Sequence, residues 1–206
     1  PMPYAKQGAA ALADLDWLAE QIKQAKLPVL LVGARGSDDD TVAALHKLLK
    51  QTTLPVVETF QGSGVISREL EPETFFGRIG FFRNQTGDKL LKQSDLVITV
   101  GYDAIEYEPR NWNKENDLNI VALDTTPVQI DNNFVPKRQL VGDLGQSLDL
   151  LTERVAGYEL PVDSRAVLKT LKADLRASDE PTYTPAQGHL NHPLNIIKAI
   201  QAHVTD

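Results

Sequence analysis

Apolar residues recur at helical spacing at Leu12, Leu15, Leu18 or Ala19, and Ile22, with Asp14 and Asp16 near the first turns, where the helix dipole favours negative charge. Pro28 then opens the unbroken run Val29-Leu30-Leu31-Val32, which stops at Gly33-Ala34-Arg35-Gly36-Ser37. A short run that is apolar at every position predicts a strand buried on both faces, the mark of a central parallel strand. The cluster at residues 38–41 supplies N-caps for a second helix with Val42, Leu45, Leu48 and Leu49 on one side. Pro55-Val56-Val57 is the next short strand, ending in Gln61-Gly62-Ser63-Gly64.

Residues 71–94 show no clean period. Phe75-Phe76-Gly77-Arg78-Ile79-Gly80-Phe81-Phe82 leads into a helix near residues 88–93, and no strand is assigned there. Regular patterning returns with Leu96-Val97-Ile98-Thr99-Val100-Gly101 and Asn119-Ile120-Val121-Ala122-Leu123-Asp124, both buried strands. Gln139-Leu140-Val141-Gly142-Asp143 follows as a last short strand, feeding a helix with Leu144, Leu148, Leu151 and Val155 on one face. Strands alternating with one-sided helices predict an α/β domain, a three-layer, doubly wound, Rossmann-like parallel sheet of about six strands with right-handed crossovers. The boundaries that follow are a linker over residues 1–11, the sheet domain over 12–157, and a helix (Val167, Leu168, Leu171, Leu175) with its linker over 158–190. A final amphipathic helix over 191–206 carries Leu194, Ile197, Ile200 and Val204 on one side. Such a stripe needs a cover, either the core or a further domain.

Composition narrows the classes. With 206 residues, one sizeable core is expected. The net charge of −7 is spread along the chain, and no basic block interleaves with aromatics, which disfavours nucleic acid as a partner. There is no cysteine, so disulfides, thiolate nucleophiles and Cys-bound zinc are excluded, in keeping with a cytoplasmic location. The longest apolar runs, such as residues 27–34, fall far short of the roughly 20 residues that span a bilayer. Pro1-Met2-Pro3-Tyr4 reads as linker rather than signal peptide, with the natural start expected upstream.

Candidate chemistry is sparse. The strand-end loops 33–37 and 62–64 could present backbone N–H groups to a phosphate, but Gly-Ala-Arg-Gly is not the G-x-G-x-x-G fingerprint, and glycines at such turns more often serve chain geometry. Asp124 could bond a ribose hydroxyl, although it lies far beyond the expected spacing of about 20 residues; a turn or cap is the plainer role. His189 and His192 are spaced H-x-x-H without a carboxylate cluster, so no metal site is expected; His46 and His203 read as solvated or core-edge residues. Asp143, between Gly142 and Gly145, reads as a helix cap. Glu106 and Glu108 follow a strand end where ligands of open sheets gather, yet paired loop acids are more often solvated than catalytic. No Ser/His/Asp or Cys/His set is evident.

Four stretches together carry a family resemblance: residues 76–88 (Phe-Gly-Arg-Ile-Gly-Phe-Phe-Arg-Asn-Gln-Thr-Gly-Asp), residues 94–103 (Ser-Asp-Leu-Val-Ile-Thr-Val-Gly-Tyr-Asp), Ile105-Glu106-Tyr107-Glu108-Pro109 with Asn111-Trp112-Asn113, and Leu140-Val141-Gly142-Asp143. Together they resemble the central domain of catabolic acetolactate synthases. The resemblance implies a three-domain thiamine-diphosphate enzyme that joins two pyruvates into 2-acetolactate with loss of carbon dioxide, the cofactor being held by Mg2+. It implies that the activating glutamate lies in the first domain and the metal-binding Gly-Asp-Gly and asparagine motif in the third. This chain would then be an inactive fragment with no catalytic or metal-binding residue of its own. His192-Pro193-Leu194-Asn195-Ile196-Ile197 is similar to the opening helix of that third domain.

The expected partners are the missing N- and C-terminal domains and, at full length, a homo-oligomer, dimer or tetramer. Biosynthetic relatives bind FAD across this domain through a Gly-Met-His-Gly-like turn, which corresponds to Gly80-Phe81-Phe82-Arg83, and an arginine-phenylalanine-diacid-arginine stretch, which corresponds to Asp103-Ala104-Ile105-Glu106-Tyr107. Both have diverged here, and bulky rings and added carboxylates oppose a flavin, so FAD is expected absent. The candidates to face the active site or to keep a relic nucleotide pocket are Gly33, Arg35, Gly36, Gln61, Gly62, Gly64, Arg78, Phe81, Gly101 and Asp124, within loops 61–64 and 75–83 among others. The alternative is a binding module that recognises a nucleotide or flavin through residues 33–37, Gly101 and Asp124. A stand-alone dehydrogenase is disfavoured by the imperfect fingerprint and the missing acid-base pair.

Overall fold

The computed structural model describes residues 7–80, 84–179 and 193–204. Helix α1 (Leu12–Gln24) leads into β1 (Pro28–Val32), then α2 (Asp39–Gln51), β2 (Val56–Thr59), a one-turn α3 (Glu71–Thr74), β3 (Phe75–Ile79), α4 (Thr86–Gln93) and β4 (Leu96–Val100). After a long loop come β5 (Ile120–Asp124), β6 (Arg138–Val141), α5 (Leu144–Val155), α6 (Val162–Asp179) and α7 (Pro193–Gln201). The six strands form one parallel sheet in the order β3-β2-β1-β4-β5-β6. The chain winds outward from β1 to β3, then returns to lay β4 on the other side of β1, so the switch point lies between β1 and β4.

Every position of β1, β4 and β5 is buried, as their near-continuous apolar runs require of strands covered on both faces. The pleat divides them between two cores. Leu30, Val32, Ile98, Val100 and Leu123 meet the inner sides of α1, α2 and α5, where Leu15, Leu18, Ile22, Leu45, Leu48, Leu148 and Leu151 lie. Val29, Leu31, Val97, Ile120 and Ala122 face the opposite layer with Leu90 and Leu91 of α4 and Leu171 of α6. Beside β5 that second layer is built by loops rather than a helix: Tyr102 and Trp112 from the connection between β4 and β5 and Phe134 from that between β5 and β6 pack edge to face with centroids 5.3–6.3 Å apart.

Several sequence expectations are refined. β3 is a real strand, unread in the sequence because Gly77, at φ +97°, and a register irregularity against β2 between Val56 and Glu58 break the alternation at this sheet edge. Leu12, placed on the apolar side of α1, is 57% exposed. The last strand ends at Val141, leaving Asp143 to cap α5 by accepting the N–H of Gln146 at 2.8 Å. Residues 8–10 are anchored rather than free linker: the N–H of Asp143 donates to the Gly8 carbonyl at 2.8 Å and that of Ala10 to Ser147 Oγ at 2.9 Å. A Cβ at Gly142 would lie 2.2 Å from the Ala10 nitrogen, so that docking requires glycine. Helix α6 packs on α4 and β3, which joins it to the rear layer of the sheet domain. Ile197, Ile200 and Val204 of the last amphipathic stretch stay at least half exposed, as does Ile196.

Candidate functional site at the carboxyl edge of the sheet

Ligands of open α/β sheets bind outside the carboxyl ends of the strands at the switch point. Here that place is filled by the chain itself. The turn after β1 folds down onto the end of β4, and each of its N–H groups is taken: Gly33 donates to Val100 O, Arg35 to Gly101 O, Gly36 to Gly33 O and Ser37 to Ala34 O, all at 2.9–3.2 Å. The N–H of Ala34 donates to Glu106 Oε1 at 2.9 Å. The approach is close enough to demand glycine at Gly101, where φ is +60° and an added Cβ would lie 2.4 Å from the Gly36 nitrogen.

Arg35 is the hub of the crevice. Nε and Nη2 donate to the two oxygens of Asp124 at 2.9 and 2.7 Å, Nη1 to Asp103 Oδ2 at 2.6 Å, and Nη2 also to the Tyr102 carbonyl at 2.8 Å. The Asp124 side chain is only 2% exposed, and its burial is tolerable because the guanidinium fork and the N–H of Thr125 satisfy it. The paired carboxylates, Asp124 first, raise the Arg35 pKa above its ordinary value. The Asp103 carboxyl is held below its usual range by the N–H of Ile105 and then by Arg35.

Glu106 closes the other side. Its Oε1 accepts the N–H groups of Ala34 and of Asp103, at 2.9 and 3.0 Å, and its Oε2 accepts the Thr59 hydroxyl. Thr59 Oγ1 in turn accepts the N–H of Gly62 at 3.0 Å, and Gly62 sits where a Cβ would lie 2.7 Å from the Val32 carbonyl.

Gly33, Arg35, Gly36, Gly62, Gly101 and Asp124 are thus brought together. Gln61 and Gly64 are exposed on the rim, and no atom lies within 4 Å of a Cβ built at Gly64. Arg78 lies apart on β3, its Nε 3.3 Å from Oε2 of Glu58. Phe81 falls outside the described residues, as do His189 and His192. His46 bonds the Val65 carbonyl at 2.7 Å and His203 the Ala199 carbonyl at 2.8 Å, both structural contacts. Glu108 pairs with Arg110 on the surface.

Sequence reasoning missed Thr59, Asp103 and Glu58 as participants. Glu58 left a signal, a carboxylate inside the apolar run of β2; it is 1% exposed, accepts the N–H of Ile66 at 3.2 Å, and burial pushes its carboxyl up to about 7. Thr59 left none, since its partner lies 47 positions away. Among the described residues no group of three or more His, Cys, Asp or Glu is placed to hold a metal ion, and no helix is long and apolar enough to cross a membrane.

The chain is 39% identical over 203 residues to an acetolactate synthase of Bacillus subtilis, a match covering 98% of this chain and 35% of that protein. It is 33% identical to a catabolic acetolactate synthase of Raoultella terrigena, over 95% of this chain and again 35% of the relative. The chain therefore spans 35% of the length of each of these relatives. Among solved structures, one described as a thiamin diphosphate-dependent enzyme of Mycobacterium smegmatis shares the fold, with a TM-score of 0.57 at 22% identity over 77% of this chain and 30% of that one. The family model of the thiamine pyrophosphate enzyme central domain matches residues 15–151, from within α1 to the last turn of α5. A parallel sheet with this strand order and so extended a match have one meaning: the chain belongs to the thiamine pyrophosphate enzyme, central domain, family.

Proposed function

We propose that this chain is the central scaffold domain of an acetolactate synthase, whose full-length form condenses two pyruvates to 2-acetolactate and carbon dioxide with thiamine diphosphate and Mg2+. The observation that carries this reading is the match to acetolactate synthases over nearly the whole chain, at 39% and 33% identity. The cofactor would supply the carbanion chemistry. The residues at the carboxyl edge do not fit a metal-bound diphosphate: Asp103 and Asp124 are committed to Arg35, and Glu106 to backbone N–H groups and Thr59. In this reading the groups that activate and hold the cofactor lie in the other domains, and this chain does not catalyse alone.

The scaffold would pack the two cofactor-binding domains, with the turn at residues 61–64 facing the active site, in a cytoplasmic homo-oligomer. Residues 191–206 would open the diphosphate-binding domain; the exposed Ile196, Ile197, Ile200 and Val204 suit an element that packs on something further. The flavin or nucleotide alternative has no observation in its favour, because the N–H groups of residues 33–37 are all engaged within the chain. The test compares this chain with a polypeptide extended at both ends to the length of its relatives, each given pyruvate, thiamine diphosphate and Mg2+. Acetolactate is expected from the longer form alone. Formation by the 206-residue chain, or by neither form, would overturn the reading.

A further inference from the structure

Three hydrogen-bond donors from three strand ends converge on one carboxylate. The N–H of Ala34 comes from the turn after β1, the hydroxyl of Thr59 from the end of β2, and the N–H of Asp103 from the turn after β4; all three donate to Glu106. Thr59 is fully buried. The carboxylate lies so close to the β1 turn that a Cβ at Gly33 would come within 2.7 Å of Glu106 Oε1. In an open sheet of this order, the turn after the first strand is where the phosphates of a dinucleotide rest.

We propose that Glu106 is the chain's own occupant of the switch-point anion position, a tethered carboxylate that takes the place of a ligand phosphate and so sets specificity by exclusion. A nucleotide would have to displace an anion that is already held and whose effective concentration, being intramolecular, is in the millimolar range or above. It would also meet the carboxylates of Asp103 and Asp124, which outnumber the single charge of Arg35. The same three bonds tie the ends of β1, β2 and β4 together, so the device that excludes the ligand also rigidifies the crevice. With Glu106 removed, the donors that remain suit a small monoanion of carboxylate shape, and the neighbouring acids disfavour a dianion. This inference deepens the flavin-free reading above and rests on it.

The experiment is anion rescue of the 206-residue chain. Glu106→Gly is expected to lower the thermal midpoint by roughly 5–10 °C in chloride. Formate at about 100 mM and equal ionic strength is expected to restore about half of that loss, while leaving the parent chain and Glu106→Gln unmoved. In a 15N-labelled sample of the glycine variant, the amide signals of Ala34 and Asp103 should move on formate titration. If Glu106→Gly does not fold in chloride, recovery of folded protein in formate is read instead. Equal midpoints in formate and chloride, or no folded protein in either, would overturn the proposal. Binding of FAD by the parent chain would instead sink the flavin-free reading, so the two failures are separable.

Discussion

The guanidinium of Arg35 reaches across 89 positions of sequence to hold Asp124 with two near-parallel hydrogen bonds, Nε to Oδ1 at 2.9 Å and Nη2 to Oδ2 at 2.7 Å. The pair pins the turn after β1 to the end of β5, over the end of β4. Replacing Arg35 with Ala strands a carboxylate that is only 2% exposed, at an expected cost of about 3 kcal/mol. Arg35→Lys keeps the charge but loses the fork and should fall between the two. Urea unfolding of the three proteins checks the order, and a lysine variant as stable as the parent would refute it.

Glu58 makes stability depend on pH. Burial lifts its carboxyl from about 4.5 to about 7, against the opposing pull of Arg78 and of the Ile66 and Gly64 N–H groups, with Glu71 adding to the rise. Because the folded value exceeds the unfolded one, the native state binds the extra proton in between. The stabilisation is therefore fully present below about pH 4.5 and is lost as pH rises through 7, a change of about 3 kcal/mol. Glu58→Gln, which keeps the acceptor for Ile66, should flatten this slope. Urea midpoints at a series of pH values from 5 to 8 compare the two; parallel curves would show that Glu58 does not titrate there.

Two glycines with positive φ separate conformational strain from collision. At Gly157, φ is +76° with nothing within 4 Å of an added Cβ, so Gly157→Ala should cost about 1–2 kcal/mol for backbone strain alone. At Gly101 the same strain is joined by a contact of 2.4 Å with the Gly36 nitrogen. Gly101→Ala should therefore cost at least twice as much and lower the yield of folded protein, measured by denaturation of both variants side by side.

Tyr102 donates its hydroxyl to the Tyr107 carbonyl at 2.5 Å and accepts from Trp112 Nε1 at 3.1 Å, all three residues being buried. Tyr102→Phe keeps the ring packing and removes both hydrogen bonds of the hydroxyl, the one given to the Tyr107 carbonyl and the one taken from the Trp112 indole N–H, at an expected cost of about 2 kcal/mol. Burial raises the phenol pKa, so Tyr102 should stay protonated at alkaline pH for as long as the fold persists. Absorbance at 295 nm checks this, the Phe variant supplying the difference.

Much of the candidate site could be read before the fold was seen, though not what its parts do. Gly33, Gly36, Gly62 and Gly101 stand out because glycine ends an apolar run where a strand leaves the sheet. That they serve close approach of backbone to backbone rests on residues far apart in the chain, Val32 for Gly62 and Gly36 for Gly101, and has no local trace. Glu106 is conspicuous as an acid after a strand end, but its three donors come from Ala34, Thr59 and Asp103, and nothing in the sequence pairs them. Arg35 looks like a phosphate ligand until Asp103 and Asp124 are seen to claim it.

By itself the sequence determined the alternation of buried strands and one-sided helices, and with it a parallel, doubly wound sheet, because hydrophobic periodicity is a local record of which faces meet water. Only the tertiary structure decided that β3 joins the sheet at its edge, that residues 8–10 dock beside α5, and that the crevice at the switch point is filled from within. Those outcomes depend on how strand order carries distant residues to one place, and a carboxylate that replaces a ligand has the same composition as one that binds water.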